Sequence, residues 1–493
     1  MNDFFIIIRS KNCKYLIIFL LILLIILDFI IIENRSNEKI VSDKWIVMTA
    51  FNPPSPSLIN LLSVLEDWKI VVISNNKKME KKWKELNNYN NLVYITLKGQ
   101  MNLGYKITKF LSFNSYARKN IGYLYSIQHG AKEIFEIDED IVISDLNSLN
   151  LNSTNHKIYY GFRNDSRMIN PYTHFHERNI WPRGFRLRDI GYQHQNKFFI
   201  MDSSKLLLTP LIHQGLINGI PDTDSIFQKT KNEIELNFSY NDPLIYFPGN
   251  FIPINSKNTK YLYDIFPFLA LASTISKEIS DILRGYILQY FSWRYNGCVA
   301  YYLSKNYKKR VNISKTPNFI EDKNLFYNLD NYLFLLNINS YSKVDAIEIL
   351  FSIINNFIKS GFLDEKDLKI YKAYIDDLSN FGYNYSSNFV NKVDYDYKRY
   401  INSYTEFSSY IPYKQYEILK INHETIKLFY HQKSLTKYQN ILLIINYNFR
   451  GFEYINNFIL NMYINNFPNF VFIVPDKITK RQNTIFCQES YHG

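Results

Sequence analysis

Cysteine is nearly absent from this chain: Cys13, Cys298 and Cys487 are the three among 493 residues. Cys13 precedes a long apolar run, so at most one pair remains beyond it and a disulfide framework is excluded. Cys and His with zinc-site spacing are missing, as are an RNP-like segment and a long basic helix. Nucleic acid is therefore excluded as a partner, despite a net charge of +12. That charge is scattered Lys in a chain whose heavy use of Asn, Lys, Ile and Tyr looks like a compositional bias of its source. Single Lys or Asn residues are discounted as signals for that reason. The densest basic tract of the second half, residues 305–310, reads as a solvated loop. Apolar and aromatic residues, by contrast, are plentiful, at 46% and 17% of the chain. They suffice for large cores and two or three domains.

Residues 15–32 are apolar apart from Asp28, long enough to cross a hydrocarbon core of ~30 Å. Arg9, Lys11 and Lys14 precede the run and Glu33 follows it, which puts the N-terminus in the cytosol. A cleaved signal peptide would have a shorter apolar core and a small-x-small site after Ile32. The expectation is a signal anchor (1–14 cytosolic, 15–32 transmembrane) with the bulk of the chain in the secretory lumen. Asn34, Asn152, Asn164, Asn237, Asn312 and Asn384 open sequons, which such a location permits.

Beyond the anchor, apolar runs at 45–51, 69–74 and 92–97 read as strands. They alternate with helical patterns at 57–67 and 78–86, which predicts a parallel, doubly wound sheet. A helix over 115–130 then leads into a strand at 133–137. Residues 281–293 read as helix, as do 330–363 and 365–380. Strands at 440–447 and 469–474 flank a helix at 452–465, the opening of a second α/β domain. With two strands only, that domain is too small to stand alone, and the natural product is expected to be longer.

The strand at 133–137 closes on Glu136-Ile137-Asp138-Glu139-Asp140. Open α/β sheets bind ligands at such carboxyl ends, and crowded carboxylates repel unless something positive lies between them. A divalent cation, Mg²⁺ or Mn²⁺, holding a diphosphate answers that need, with Glu136, Asp138 and Asp140 as ligands. The plainer reading is a solvated acidic turn. Residues 161–190 add Arg163, Arg167, His174, His176, Arg178, Arg183, Arg186 and Arg188. Arg forks suit phosphate oxygens, and Arg178 and Arg183 are the candidates here; packing on aromatics or surface acids accounts for others. Asp222 and Asp224, on alternate residues of a turn, are candidates for catalytic base or second metal contact, against a helix cap. Asp281 and Arg284 form a pair three apart on a helix, usually structural.

Several stretches together carry a resemblance: Lys44-Trp45-Ile46-Val47, Leu65-Glu66-Asp67-Trp68-Lys69, Gln128-His129-Gly130-Ala131, Asn179-Ile180-Trp181-Pro182-Arg183-Gly184, Asn218-Gly219-Ile220-Pro221-Asp222-Thr223-Asp224, and Asp281-Ile282-Leu283-Arg284-Gly285-Tyr286. In this order, over residues 44–300, the chain resembles the STELLO family of Golgi glycosyltransferase-like proteins. The resemblance implies a single-pass type II Golgi membrane protein. Its lumenal domain would be GT-A-like (Rossmann-type) over 40–310, followed by a mainly helical region over 311–435 and a partial second α/β domain over 436–493. It also implies Mn²⁺ and nucleotide diphosphate held by an Asp-x-Asp motif, and an association with polysaccharide synthase assembly. The family's Asp-x-Asp-Asp stands here as Glu136-Ile137-Asp138-Glu139. Two expectations follow: a lumenal transferase acting from a nucleotide sugar on a glycan acceptor, or a catalytically silent scaffold that helps assemble or export a polysaccharide synthase.

Overall fold

The computed structural model describes residues 41–144, 157–162, 168–175, 180–190, 197–202, 208–230, 235–238, 243–308, 319–337, 345–390, 393, 442–446, 469–475 and 484–487. The expected membrane span at 15–32 lies outside them, as do Arg163, Arg167, His176 and Arg178. Among the described residues no helix is long and apolar enough to cross a membrane.

The first half of the main sheet follows from its sequence. Strands β1 (Lys44–Ala50), β2 (Lys69–Ser74) and β3 (Leu92–Ile95) put apolar residues on both faces, as buried parallel strands do, while β4 (Glu133–Ile137) adds the buried Glu136 to one of its faces. Trp45, Val47, Val71 and Ile73 enter one core; Ile46, Met48, Ile70 and Val72 enter the other. Helix α1 (Pro56–Val64), opened by the Ser55 cap, covers the second face with Leu58, Leu61 and Leu62. The crossovers also contain α2 (Glu80–Lys84) and α3 (Leu97–Asn102). Helix α4 (Lys119–Gln128) lies on the first face, where Gly122 lets it approach β1 and β2.

Two short strands follow, β5 (Ile141–Val142) and β6 (Lys157–Phe162), then helix α5 (Tyr172–Phe175) and β7 (Lys197–Asp202). Next come β8 (Thr209–Gly215), β9 (Asn218–Gly219), α6 (Ser225–Thr230), β10 (Leu244–Tyr246) and β11 (Asn258–Leu262). Helix α7 (Lys277–Arg294), β12 (Gly297–Tyr302) and β13 (Tyr307–Lys308) complete this part. The ten-stranded sheet runs β3-β2-β1-β4-β11-β8-β12-β10-β6-β7. It corrects the expected all-parallel arrangement: β3 to β4 are parallel, but β11 enters antiparallel to β4 and to β8. β11 reaches its place after β9, α6 and β10 rather than by a single βαβ crossover from β4 or β8, so no crossover fixes it parallel to either. The result is a mixed, parallel-rich α/β fold.

Helices α8 (Phe319–Asn337), α9 (Ala346–Lys359) and α10 (Glu365–Asn380) follow. The helical span expected from 330 thus starts earlier and is two helices. Leu336, Ile353, Tyr371 and Tyr374 share one core with Tyr123, Tyr261 and Ile287. Near the end, β14 (Leu442–Asn446), β15 (Asn469–Pro475) and β16 (Thr484–Cys487) form a separate parallel sheet. The third strand was not expected; Thr-Ile-Phe-Cys is β-favouring but only four residues long.

Candidate functional site

Period-two geometry puts Ile134, Glu136 and Asp138 on the same side of β4, towards α4 and α7. Both helices begin there with a lysine: Lys119 opens α4 and Lys277 opens α7, the latter behind the Ser276 cap. A side-chain clamp holds the two ends together. The Asn120 amide donates to the Leu271 carbonyl (3.0 Å) and accepts from the Leu271 N–H (2.8 Å), and the Tyr116 hydroxyl donates to the Ala272 carbonyl (2.5 Å).

The acid cluster is occupied by these cations. Asp138 has the Lys119 Nζ 3.0 Å from Oδ1 and the Lys277 Nζ 3.0 Å from Oδ2. Glu136, fully buried, meets Lys119 at 3.1 Å and Arg284 at 2.9 Å. Burial opposes ionisation of both carboxyls, yet the cations outweigh it: Glu136 is held below, and Asp138 well below, the usual carboxylate range. Asp140 pairs with Lys308 at 2.7 Å. Glu139 turns the other way, accepting from the Phe51 and Asn52 N–H groups (2.9 and 3.1 Å) and so pinning the loop after β1.

Arg284 is the anchor beneath. Its guanidinium donates to the Tyr123 hydroxyl (2.6 Å), the Tyr261 hydroxyl (3.3 Å) and Asp281 (2.9 Å), tying α7 to α4 and β11 as well as to Glu136. Asp281 also accepts from the Ser256 N–H (3.0 Å), which fixes the segment carrying Lys257.

The two stretches around Arg183 and Asp222 meet. Pro182 bridges Thr223, and Arg183 Nε lies 3.2 Å from Asp222 Oδ1. Lys257 Nζ contacts the same oxygen at 2.5 Å. Burial would raise the Asp222 pKa, but Lys257 and Arg183 bring it down to about 2. So weak a base is ionised throughout the neutral range. Asp224 accepts from the Trp181 indole N–H (2.6 Å) and caps α6 through the Phe227 N–H (2.7 Å), as the plainer reading of that turn has it. Arg186 lies elsewhere, paired with Asp189 and Asp330, and His174 is buried against Phe175.

Sequence reasoning missed Lys119, Lys257, Lys277 and also Arg118. Arg118 is fully buried and its Nε donates to Gln100 (2.6 Å), yet its Nη2 has no hydrogen-bond partner and no described carboxylate pairs with it. Burial pulls its pKa down. The Gln100 amide donates in turn to the Ser74 carbonyl (2.7 Å), beside the buried Asn75, whose own amide is unpartnered.

Glu136, Asp138 and Asp140 as folded do not fit a divalent cation. Among the described residues no three His, Cys, Asp or Glu side chains are grouped to hold one. Both Asp138 oxygens face ammonium groups, and a dication about 4 Å from one ammonium is repelled by roughly 8 kcal/mol at an effective dielectric of about 20.

The fold and this edge are those of a Rossmann-like α/β protein whose β4 ends in carboxylates braced by lysine and arginine. No family model matches the chain. It is 31% identical over 358 residues to an Arabidopsis thaliana protein named "Probable glycosyltransferase STELLO1", and 30% identical over 358 residues to "Probable glycosyltransferase STELLO2" of the same plant. Each match takes in 69% of this chain and 45% of the relative, so the chain spans under half the length of these curated relatives. The chain is related to the STELLO family.

Proposed function

We propose that the chain transfers a sugar from a nucleoside diphosphate donor to a hydroxyl of a glycan acceptor. The observation that carries this reading is the gathering of Lys119, Lys277 and Lys257 around Asp138 at the C-terminal end of β4, with Arg183 beside Lys257 on Asp222. Such a basic edge suits a departing diphosphate, and the names of the two relatives point to the same chemistry. In the transfer, the bond from the anomeric carbon to the phosphate oxygen breaks and the diphosphate leaves with the electron pair. The acceptor oxygen bonds to that carbon and gives up its proton. Asp222 takes that proton in this reading, becoming a stronger base as Lys257 and Arg183 turn from it to the phosphates. Asp224 keeps its capping role, and Arg178 remains a candidate phosphate contact. The reading carries with it the Golgi lumen, the N-terminal anchor and a role in extracellular polysaccharide. Incubating the purified full chain with UDP- and GDP-sugars and glycan acceptors should release free nucleoside diphosphate; no release from any donor sinks the proposal.

A second reading has its own observation. Asp138 has an ion pair on each oxygen, which equally suits a structural brace in a silent scaffold for a polysaccharide synthase. Under the scaffold reading Asp138→Asn leaves cellular function intact once the protein is folded; under the transferase reading it does not.

A further inference from the structure

We infer that Lys119, Lys257 and Lys277 occupy the role of the expected divalent cation, so that this edge binds and releases a nucleoside diphosphate without metal. The inference rests on the transferase reading and departs from the Mn²⁺ expectation. Lys119, Lys277 and Arg284 stand against Glu136, Asp138 and Asp281 in one ion-paired group, and Arg183 and Lys257 stand against Asp222 in a second, tied to the first where Asp281 accepts from the Ser256 N–H. The carboxylates of the first group are thus neutralised in full, and the second group carries one positive charge in excess, before any ion is added.

The lysines differ in access, and that assigns their parts. Lys119 has a side chain 3% exposed and is shared by Glu136 and Asp138, so it is a fixed charge. Lys277 has a side chain 40% exposed, and Lys257 one 19% exposed; each is held only through carboxylates. These two can swing from Asp138 and Asp222 to phosphate oxygens at little cost, because one anion replaces another. During transfer the leaving diphosphate gains one negative charge, which Lys277 and Lys257 then neutralise. The carboxylates keep the lysines aimed while the site is empty.

The test is calorimetric titration of the full chain with UDP and with GDP, in EDTA and in Mn²⁺. Dissociation constants agreeing within about twofold between the two buffers support the inference. Binding that weakens about tenfold or more in EDTA overturns it while leaving the transferase reading standing. No binding of either nucleotide in either buffer overturns both. Lys277→Ala is the companion variant: the position is half-exposed, in the first turn of a capped helix, so folding should survive, as circular dichroism would verify. The variant should bind about tenfold more weakly in EDTA and regain affinity with Mn²⁺, since Asp138 Oδ2 is then open to a cation. Unchanged affinity of a folded Lys277→Ala in EDTA overturns the inference.

Discussion

Arg284 shows what one buried charge does in this protein. Its guanidinium, 1% exposed, meets Glu136 and Asp281 and reaches two tyrosine hydroxyls, so removing it leaves the fully buried Glu136 with Lys119 alone, which Asp138 shares. Arg284→Met should cost about 3–5 kcal/mol, read as a lower urea midpoint, and adding Glu136→Leu should recover much of that loss. A single variant with the wild-type midpoint would show that Arg284 is not the anchor. Asp222 makes a prediction of a different kind. Its pKa falls from 3.8 to about 2 on folding, so its contribution is fully present above pH about 4 and is lost as pH drops towards about 2. The amount is about 2 kcal/mol. Asp138, held low by Lys119 and Lys277, adds to the loss with the same sign. Asp222→Asn should flatten the acid limb of stability against pH; an unchanged limb would assign it to other carboxyls.

At the scale of elements, the site exists because α4 and α7 begin at the same place, beyond the C-terminal end of β4. Gly122 sets how closely α4 lies on β1 and β2: a Cβ there would lie 2.6 Å from Val47 Cγ1 and 3.2 Å from Ile73 Cγ1. Alanine normally favours a helix over glycine by about 1 kcal/mol, but here overpacking should win and destabilise by about 1–3 kcal/mol. A thermal melt of Gly122→Ala that rises instead of falling would mean the helix can shift freely. Much at this scale was legible in sequence. The four parallel strands, α1 and α4 follow from apolar runs and caps, and the carboxylates of β4 announce a charged edge. What local pattern cannot supply is partners. Lys119 is 19 residues from Asp138 and Lys277 is 139 residues from it. In a lysine-rich chain neither stands out, so a cation was inferred where lysines sit. The antiparallel entry of β11 was likewise hidden, because a buried strand reads the same in either direction.

On the scale of the whole molecule, α8 to α10 are part of the support for the site. Asp377 on α10 accepts from the Lys106 and Ile107 N–H groups (2.8 and 3.0 Å), and the Tyr374 hydroxyl donates to the Phe266 carbonyl (3.1 Å). Asp367 accepts from the Ser273 and Thr274 N–H groups (2.7 and 3.3 Å), fixing the turn that leads into Lys277. Buried groups of this kind lose their partners together when the helices are removed, and the apolar surface of α4 and α7 is bared as well. Truncation after residue 310 should therefore leave a chain that aggregates or melts without a cooperative transition, whereas truncation after residue 435 should keep both the transition and nucleotide binding. Asp367→Ala is the local form of the same experiment. It should cost about 1–3 kcal/mol of stability and also weaken UDP binding, although Asp367 lies outside the basic cluster, because the turn before Lys277 loosens. A chain ending at 310 that folds cooperatively and binds UDP as the full chain does would show that the helices are an independent unit with no part in holding Lys277.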